Sequence, residues 1–264
     1  MDRFRELRIR NARRWSHIQE GHLNQWYDLP AFRAGGCSLR SIDAEILGDV
    51  SGKRLLHLQC NAGLDTLSFA RRGAIVTGVD LSEKSIDFAR DLTRETGLEA
   101  RFVHSDVMDL DEMLPETFDL VFASHGVFCW IDDLSRWMAI AASHLEPGGL
   151  LGFVCLHPAL WPFDEDGEIE ASYFHEEEPL VCEPDNDRDL PTYEWQWTVA
   201  DIVNAAIGAG LRIEELGEHP VASYRIRKEL VPTDDRWWRW PGIPHLPLLL
   251  SLKARRPDEE AGRV

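Results

Sequence analysis

Apolar and polar residues alternate in blocks along this chain, and the blocks predict a repeated order of strands and helices. The stretch over 54–80 reads RLLHLQCNAGLDTLSFARRGAIVTGVD. Its short apolar run at 54–58 predicts a buried strand, and the apolar spacing over 64–72 predicts a helix that Gly73 ends. The apolar run at 74–79 predicts a second buried strand. We therefore expect a strand–turn–helix–strand unit here.

The same alternation continues toward the carboxyl end and extends this unit to a whole sheet. Further strands are predicted over 100–104, 118–123, 150–156, 211–216 and 246–254. Helices are predicted over 13–27, 41–47, 83–94, 135–145 and 199–209, with Ser82 and Asp132 as N-caps. Strands separated by helices form mainly parallel sheets with helices on both faces. The pattern therefore predicts an α/β fold with a doubly wound, seven-stranded sheet.

The first 47 residues precede this alternation and are predicted to be helical. Residues 1–11 are basic and helical in pattern, and they are expected to be mobile. Beyond them, Trp15, Ile18, His22 and Trp26 recur at helical spacing and share one helix face. Such a face has two interpretations: it packs on the sheet, or it closes over a pocket as an N-terminal lid.

An insertion over 158–198 follows the fifth strand and combines an acidic run with aromatic residues. Residues 172–175 and 192–197 have the composition of strands and are predicted to pair as a hairpin over the pocket. The alternative is a solvated loop. Because no linker rich in Gly, Ser or Pro divides the chain, we expect one domain over 1–254 and a flexible tail over 255–264.

Asp80 lies at the carboxyl end of the second strand, where nucleotide-binding half-folds carry an acid that accepts hydrogen bonds from ribose hydroxyls. Two cofactor classes use this arrangement. A dinucleotide needs the three glycines of G-x-G-x-x-G, and the turn over 59–63 has only Gly63. S-adenosylmethionine (SAM) has no phosphate, so its binding loop does not need three glycines to approach a pyrophosphate. The turn favours SAM over NAD.

Specific motifs resemble a known family at this point. The stretches HLQCNAGLDTLSFARRGA and VTGVDLSEKSIDFAR are similar to motif I and the following acidic segment of class I SAM-dependent methyltransferases. They most resemble a bacterial small-molecule branch whose motif I reads HLQC. The resemblance extends over about 15–253, although His57 replaces the usual motif I acid and Gln59 and Asn61 replace two glycines.

The resemblance implies a set of cofactor-binding residues. Asp80 would bind the ribose, Leu81 and Val107 would pack on adenine, and Asp106 would bind the adenine amino group. His57 would order the loop and, near the cofactor's ammonium, would be neutral. The whole predicted set is Trp15, His57, Gln59, Cys60, Asn61, Gly63, Asp65, Thr66, Asp80, Leu81, Ser82, Asp106, Val107, Ser124 and His125.

Methyl transfer from a sulfonium is an in-line displacement that gains from a base near the acceptor, and histidine suits that role. His125 and His157 follow adjacent central strands and are the candidate bases. For each, the alternative is a hydrogen-bonded pocket wall. Predicted substrate-binding residues are His22, Tyr27, Trp130, Tyr173 and Trp195. The expected products are S-adenosylhomocysteine and a small molecule methylated at O, N or C.

Charge and cysteine content narrow the expected partners. A formal net charge of −18 and a pI near 4.9 argue against nucleic acid and against an anionic membrane surface. The five cysteines show no metal-ligand spacing, so we expect reduced thiols, no metal site and a cytoplasmic protein. Trp237, Trp238 and Trp240 either form a homodimer surface or cover the sheet edge.

Two other functions remain open at this stage. A non-catalytic SAM-binding or interaction protein would explain the substituted motif I, although the whole branch shares that substitution. An NAD-dependent oxidoreductase would require a dinucleotide site that the turn at 59–63 disfavours. The sequence does not identify the methyl acceptor.

Overall fold

A seven-stranded sheet forms the centre of the structure. This computed structural model describes residues 3–164, 168–183, 190–242 and 246–258. The strands of the sheet are β1 Arg54–Leu58, β2 Ile75–Asp80, β3 Ala100–His104, β4 Phe118–Ser124, β5 Leu145–Leu156, β8 Arg212–His219 and β12 Leu249–Arg255. Their order across the sheet is β3-β2-β1-β4-β5-β12-β8. The first five are parallel, and β12 is antiparallel to both of its neighbours.

Two layers of helices form because successive residues of a strand point to opposite faces. On β1, Leu55 belongs to a buried cluster with Phe69 of α4, whereas Leu56 belongs to a cluster with Trp137 of α7. The helices are α1 Arg5–Trp26, α2 Leu29–Arg33, α3 Ser41–Glu45, α4 Leu64–Arg71, α5 Glu83–Thr96, α6 Leu110–Met113, α7 Leu134–Ser143 and α8 Val199–Gly208. The predicted doubly wound α/β fold is confirmed.

The N-terminal segment is one long helix. The mobility predicted for 1–11 is wrong for its described part, because Arg8 and Asn11 are each only 3% exposed within α1. Asn11 exchanges two hydrogen bonds with the backbone of Tyr193, at 2.7 and 2.9 Å. These bonds and the buried Arg8 fix α1 to the rest of the molecule.

The insertion contains a hairpin, but with a different partner strand from the one predicted. β6 Leu180–Cys182 pairs antiparallel with β7 Thr192–Glu194. Residues 172–175 do not join this hairpin: His175 stacks on Trp197 at 3.8 Å between ring centroids, and its Nδ1 lies 2.8 Å from the carbonyl of Gln196. Aromatic composition at 172–175 therefore provides stacking contacts instead of a β ladder. Within the acidic run, residues 165–167 lie outside the described part of the chain, as do 184–189.

The connection after β8 forms a small sheet of β9 Val221–Ala222, β11 Trp238–Arg239 and β10 Val231–Pro232. Trp237 is 2% exposed and packs on Val154 and Leu249. Trp237 therefore covers the inner strands β5 and β12 and not an edge strand, while a homodimer stays a prediction.

The predicted tail begins too early. Arg255 belongs to β12 and pairs with Glu214, and the backbone of Arg256 donates to Gly149. The predicted tail residues 259–264 lie outside the described part. Among the described helices, none has both the length and the apolarity needed to cross a membrane.

Candidate active site

A cavity of about 980 Å³ lies at the carboxyl ends of β1, β2 and β4, beneath α1. Doubly wound sheets bind ligands at this edge, where the strand order reverses between β1 and β4. Its volume is at the upper end of the range for small-molecule sites. Thirteen residues of the predicted cofactor set line it: Trp15, His57, Gln59, Cys60, Asn61, Asp65, Asp80, Leu81, Ser82, Asp106, Val107, Ser124 and His125. Gly63 and Thr66 lie behind the loop and do not line it.

The loop after β1 keeps a left-handed backbone although two of the usual glycines are replaced. Gln59, Asn61 and Gly63 have φ values of 53°, 48° and 78°. Asparagine tolerates this region, whereas glutamine requires support from its surroundings. Gln59 has that support, because its Nε2 donates to the carbonyl of Val127 at 3.1 Å and its Oε1 accepts from Trp137 Nε1 at 2.9 Å. The substituted loop is therefore held in place by its own side chains.

Gly63 is the one glycine of this loop, and a side chain has no room at its position. A Cβ at this position would lie 2.7 Å from Ala89 Cβ and 2.7 Å from Phe102 Cζ. We expect Gly63→Ala to lower the free energy of unfolding by about 2–5 kcal/mol, from the left-handed φ together with overpacking. Gly97 is the matched control, because it also has positive φ but open space around it, so Gly97→Ala should cost about 1–2 kcal/mol. Urea unfolding measures both, and equal losses would contradict the steric argument.

Asp80 holds the loop and faces the cavity. Its Oδ2 accepts from the backbone of Asn61 and its Oδ1 from the backbone of Ser82, both at 2.8 Å. Burial raises the pKa of the Asp80 carboxyl, and the backbone hydrogen bonds from Ser82 and Asn61 oppose that effect. Each oxygen retains a second lone pair for a ligand hydroxyl.

The adenine side of the predicted site contains an ion network that the sequence did not indicate. Arg8 of α1 donates through Nε to Asp106 Oδ2 at 2.9 Å and through Nη1 to Asp132. All three side chains are at most 8% exposed. Asp106 Oδ1 also accepts from the backbone of Met108, so the role toward adenine predicted for Asp106 stays a prediction.

The cap predicted for α7 is wrong by one position. Asp133 accepts from the backbone of Arg136, whereas Asp132 turns toward Arg8. Two adjacent aspartates offered the same cap signal, and the buried guanidinium decides between them.

His57 is buried below the loop. Its Nδ1 lies 2.8 Å from Thr66 Oγ1, and its Nε2 has no hydrogen-bond partner among the described residues. Burial lowers the pKa of His57 to about 3, although the charge of Asp43 opposes this. His57 is therefore neutral near pH 7, as the resemblance implied.

His57 should make the protein sensitive to acid. In the unfolded chain it takes up a proton near its ordinary pKa of 6.5, whereas the folded protein resists protonation down to about 3. The unfolded state therefore binds more protons in this interval, and stability falls by up to about 1.4 kcal/mol per pH unit as the pH decreases. His57→Asn should flatten this slope in unfolding experiments below pH 6.5. The exposed His104→Asn is the control, and parallel slopes for all three proteins would contradict the assignment.

His125 ends β4 with a strained backbone, at φ 39°. Its Nε2 lies 3.0 and 3.1 Å from the two carboxylate oxygens of Asp43, which belongs to α3 and is 1% exposed. Burial would raise the pKa of Asp43, but the charge and hydrogen bond of His125, with Arg40, outweigh it and leave that pKa below its usual value. Nδ1 of His125 has no hydrogen-bond partner among the described residues.

His157, the other candidate base, does not line the cavity. Its Nε2 lies 2.8 Å from Glu218 Oε1, and its Nδ1 accepts from the backbone of Ala159 at 3.1 Å. Both ring nitrogens are therefore engaged in holding the chain after β5. These contacts give His157 a structural role outside the cavity and leave His125 as the candidate base.

The predicted substrate-binding residues divide into two groups. Tyr27 and Trp130 line the cavity. Trp195 is 1% exposed and packs on Phe4, and the hydroxyl of Tyr173 accepts from the backbone of Val199, so neither reaches it. The side chain of His22 lies outside the described part of the structure.

Other lining residues were missed because single positions in loops and very short strands carry no periodic signal. They include Trp26, Arg40, Cys182, Glu194, Tyr224 and Arg227. Trp26 is the exception, because it lies on the predicted helix face, next to Tyr27, which is the predicted substrate-binding residue.

Comparison with known proteins agrees with this geometry. The family model described as "Methyltransferase domain" matches residues 56–153. A crystal structure of an S-adenosylmethionine dependent methyltransferase from Mesorhizobium loti is 25% identical, with a TM-score of 0.59, covering 86% of this chain and 96% of that one. Residues 56–153 thus match the methyltransferase-domain family, and the described fold is similar to that of a SAM-dependent methyltransferase. Within that family, the matched segment spans the loop after β1, Asp80 and His125.

Two relatives extend the comparison. The "Ubiquinone biosynthesis O-methyltransferase" of Saccharophagus degradans is 28% identical over 144 residues, which are 54% of this chain and 57% of that protein. An uncharacterized protein of Haemophilus influenzae is 27% identical over 228 residues, covering 81% of this chain and 85% of that one. The chain thus spans little more than half the length of the O-methyltransferase from Saccharophagus degradans.

SAM, the cofactor of this family, fits the residues present. Asp80 offers free lone pairs for ribose hydroxyls, and Leu81 and Val107 line the cavity as apolar walls for adenine. The buried Nε2 of His57, which has no partner in the described part of the chain, belongs to a side chain that lines the same cavity. When bound, SAM supplies an electrophilic methyl group.

Proposed function

We propose that this protein transfers a methyl group from SAM to a small molecule, with S-adenosylhomocysteine as the second product. The observation that carries the proposal is one cavity that joins the loop after β1 and Asp80 to a second, largely aromatic region. That second region is lined by Tyr27, Trp161, Phe163 and Tyr224. A single cavity lets the two reactants meet without water between them.

The residues divide between binding and chemistry. Asp80, Leu81, Val107 and the loop after β1 hold the cofactor. Trp15 of α1 lies over the same cavity, with its ring edge-on to Trp130 at 5.5 Å between centroids. α1 therefore acts as the lid, and the aromatic residues position the acceptor. His125 stands at the end of β4, between the two regions, as the base.

The size and charge of the site support a small acceptor. A cavity of about 980 Å³ holds SAM and a molecule of modest size, and the net charge of −18 disfavours nucleic acid. The five cysteines are free thiols, which fits a reducing compartment, and we place the protein in the cytoplasm on that ground. The acceptor atom is O, N or C.

Release of S-adenosylhomocysteine tests this function. Purified protein and SAM would be incubated with phenols, catechols, aryl carboxylic acids, thiols and amines, and the product quantified by mass spectrometry. We expect acceptor-dependent release. Tight SAM binding without release on any acceptor class would contradict the catalytic function and favour a SAM-binding protein.

A further inference from the structure

We infer that Asp43 positions His125 so that its Nδ1 accepts a proton from the methyl acceptor, which is therefore a hydroxyl or protonated amine. This inference rests on the proposed function and deepens it. Asp43 lies in α3, before the segment that matches the methyltransferase family, and 82 residues separate it from His125. His125 and Asp43 come together only in the folded chain.

The contact with Asp43 determines which nitrogen is available. A carboxylate only accepts hydrogen bonds, so the nitrogen next to it, Nε2, must carry the proton. The neutral ring then has its lone pair on Nδ1, the nitrogen without a described partner. The side chain is 14% exposed and lines the cavity. Nδ1 is thus a buried acceptor atom without a described partner, on a ring that lines the cavity.

The surroundings hold this pair rigidly. The backbone of Arg40 donates to Asp43 Oδ2 at 3.1 Å, which fixes the carboxylate as the cap of α3. Trp237 lies edge-on to the His125 ring at 6.4 Å between centroids, and its Nε1 donates to Ser41. Segments before β1 and after β8 thus enclose a histidine that the central fold supplies.

Several charged or titratable groups interact with the pair of Asp43 and His125. Asp43 in α3 and Asp65 in α4 are carboxylates, Arg40 contributes a guanidinium from the chain before α3, and His57 and Tyr27 lie on β1 and after α1. Burial and the charge of Asp43 raise the pKa of Asp65, while burial and the charge of Asp65 raise that of Tyr27. Asp43 is the only one of these five with a described hydrogen bond to His125.

The proton transfer accounts for all atoms and charges. The acceptor oxygen or nitrogen forms a bond to the methyl carbon as the carbon–sulfur bond breaks and its electron pair returns to sulfur. The proton of the acceptor moves to His125 Nδ1, and the resulting imidazolium faces the Asp43 carboxylate. A carboxylate is already ionised near pH 7 and gains nothing from such a base. The pair therefore selects acceptors that arrive with a proton.

Asp43→Asn gives a specific test. The side-chain oxygen is expected to keep its bond to the Arg40 backbone, which turns the NH₂ group toward His125 Nε2. Nε2 must then accept, and the proton moves to Nδ1. Long-range ¹⁵N NMR of the histidine rings, in protein with and without S-adenosylhomocysteine, should show Nε2–H in the wild type and Nδ1–H in Asp43→Asn. Nδ1–H in the wild type would overturn the inference even if SAM is turned over.

The rate should follow the tautomer. On any phenol, alcohol or amine that the wild type methylates, Asp43→Asn and His125→Ala should each lower kcat about 10²–10⁴-fold with little change in KM. The acid limb of the wild-type pH profile should be absent in His125→Ala, and the double variant should be no slower than the slower single variant. His157→Asn, which can still cap the turn after β5, should keep the wild-type rate.

Failure of the inference can be distinguished from failure of the proposed function. Absence of turnover on every acceptor would contradict the proposed function. The NMR result would still determine which nitrogen of His125 carries the proton. Turnover of carboxylates alone, with unchanged kcat in His125→Ala, contradicts the inference and leaves the function intact.

Discussion

Asp80→Ala is expected to weaken SAM binding by about 10²–10⁴-fold. Ligand hydroxyls on this carboxylate would form charge-assisted hydrogen bonds worth about 1.5–3 kcal/mol each, and the site offers two oxygens. The same oxygens hold the backbone of Asn61 and Ser82, so the loss also loosens the loop. Both effects act on the cofactor, which makes this the largest expected change in affinity.

Calorimetric titration measures the effect, and two variants separate its causes. Asp80→Asn keeps one acceptor oxygen and should lose less affinity than the alanine variant. Glu83→Gln changes an exposed carboxylate in the first turn of α5 and should bind as the wild type does. A folded Asp80→Ala variant with wild-type affinity would contradict the assignment of Asp80 to the cofactor.

Arg8→Ala is expected to lower the free energy of unfolding by about 3–5 kcal/mol and to open α1. The substitution removes the guanidinium that bridges two buried carboxylates, Asp106 and Asp132, and loss of one partner of a buried ion pair is costly. The cost of burying the two carboxylates falls when the N-terminal half of α1 moves away and water reaches them. Hydrogen exchange should therefore accelerate in peptides from α1 while peptides from β1 and β4 stay protected.

Arg5→Ala is the matched control for this experiment. Arg5 also pairs with an aspartate, Asp109, but its side chain is 61% exposed, so its loss should cost less than about 1 kcal/mol. Arg8→Lys keeps the charge but cannot bridge both carboxylates as the guanidinium does, and an intermediate effect is expected. Equal exchange in Arg8→Ala and Arg5→Ala would show that the buried network does not hold the lid.

Elements whose signal is local could be predicted from the sequence. β1, α4 and β2 follow from apolar spacing and glycine positions, and all seven strands of the sheet were predicted within a few residues of their bounds, apart from an earlier start of β5. The position of Asp80 at the cavity could be predicted because the carboxyl end of a strand is a fixed place in this fold. Ser82 was recognised as the cap of α5 for the same local reason.

Pairings between distant residues could not be predicted. Arg8 lies 98 residues from Asp106 and 124 from Asp132, and nothing in the spacing of 1–11 distinguishes a buried arginine from a solvated one. In the sequence, Asp43 has no feature that distinguishes it from any other polar residue of a short helix. The sequence gives its type, but only the folded chain gives its partner.

The two candidate bases illustrate the same limit. His125 and His157 both follow a central strand, so sequence position alone ranks them equally. The contacts separate them: His157 is engaged through both nitrogens, whereas His125 keeps Nδ1 free of described partners. The hairpin partner of β7 was missed in a similar way, because strand composition at 172–175 does not specify which segment pairs.

Titration of the wild-type protein with SAM, S-adenosylhomocysteine and NAD tests the central claim most directly. We expect micromolar binding of both adenosyl ligands, with negligible heat from NAD, because the loop after β1 has one glycine and Asp80 faces the cavity. Binding of NAD with no binding of either adenosyl ligand would contradict the account of this site.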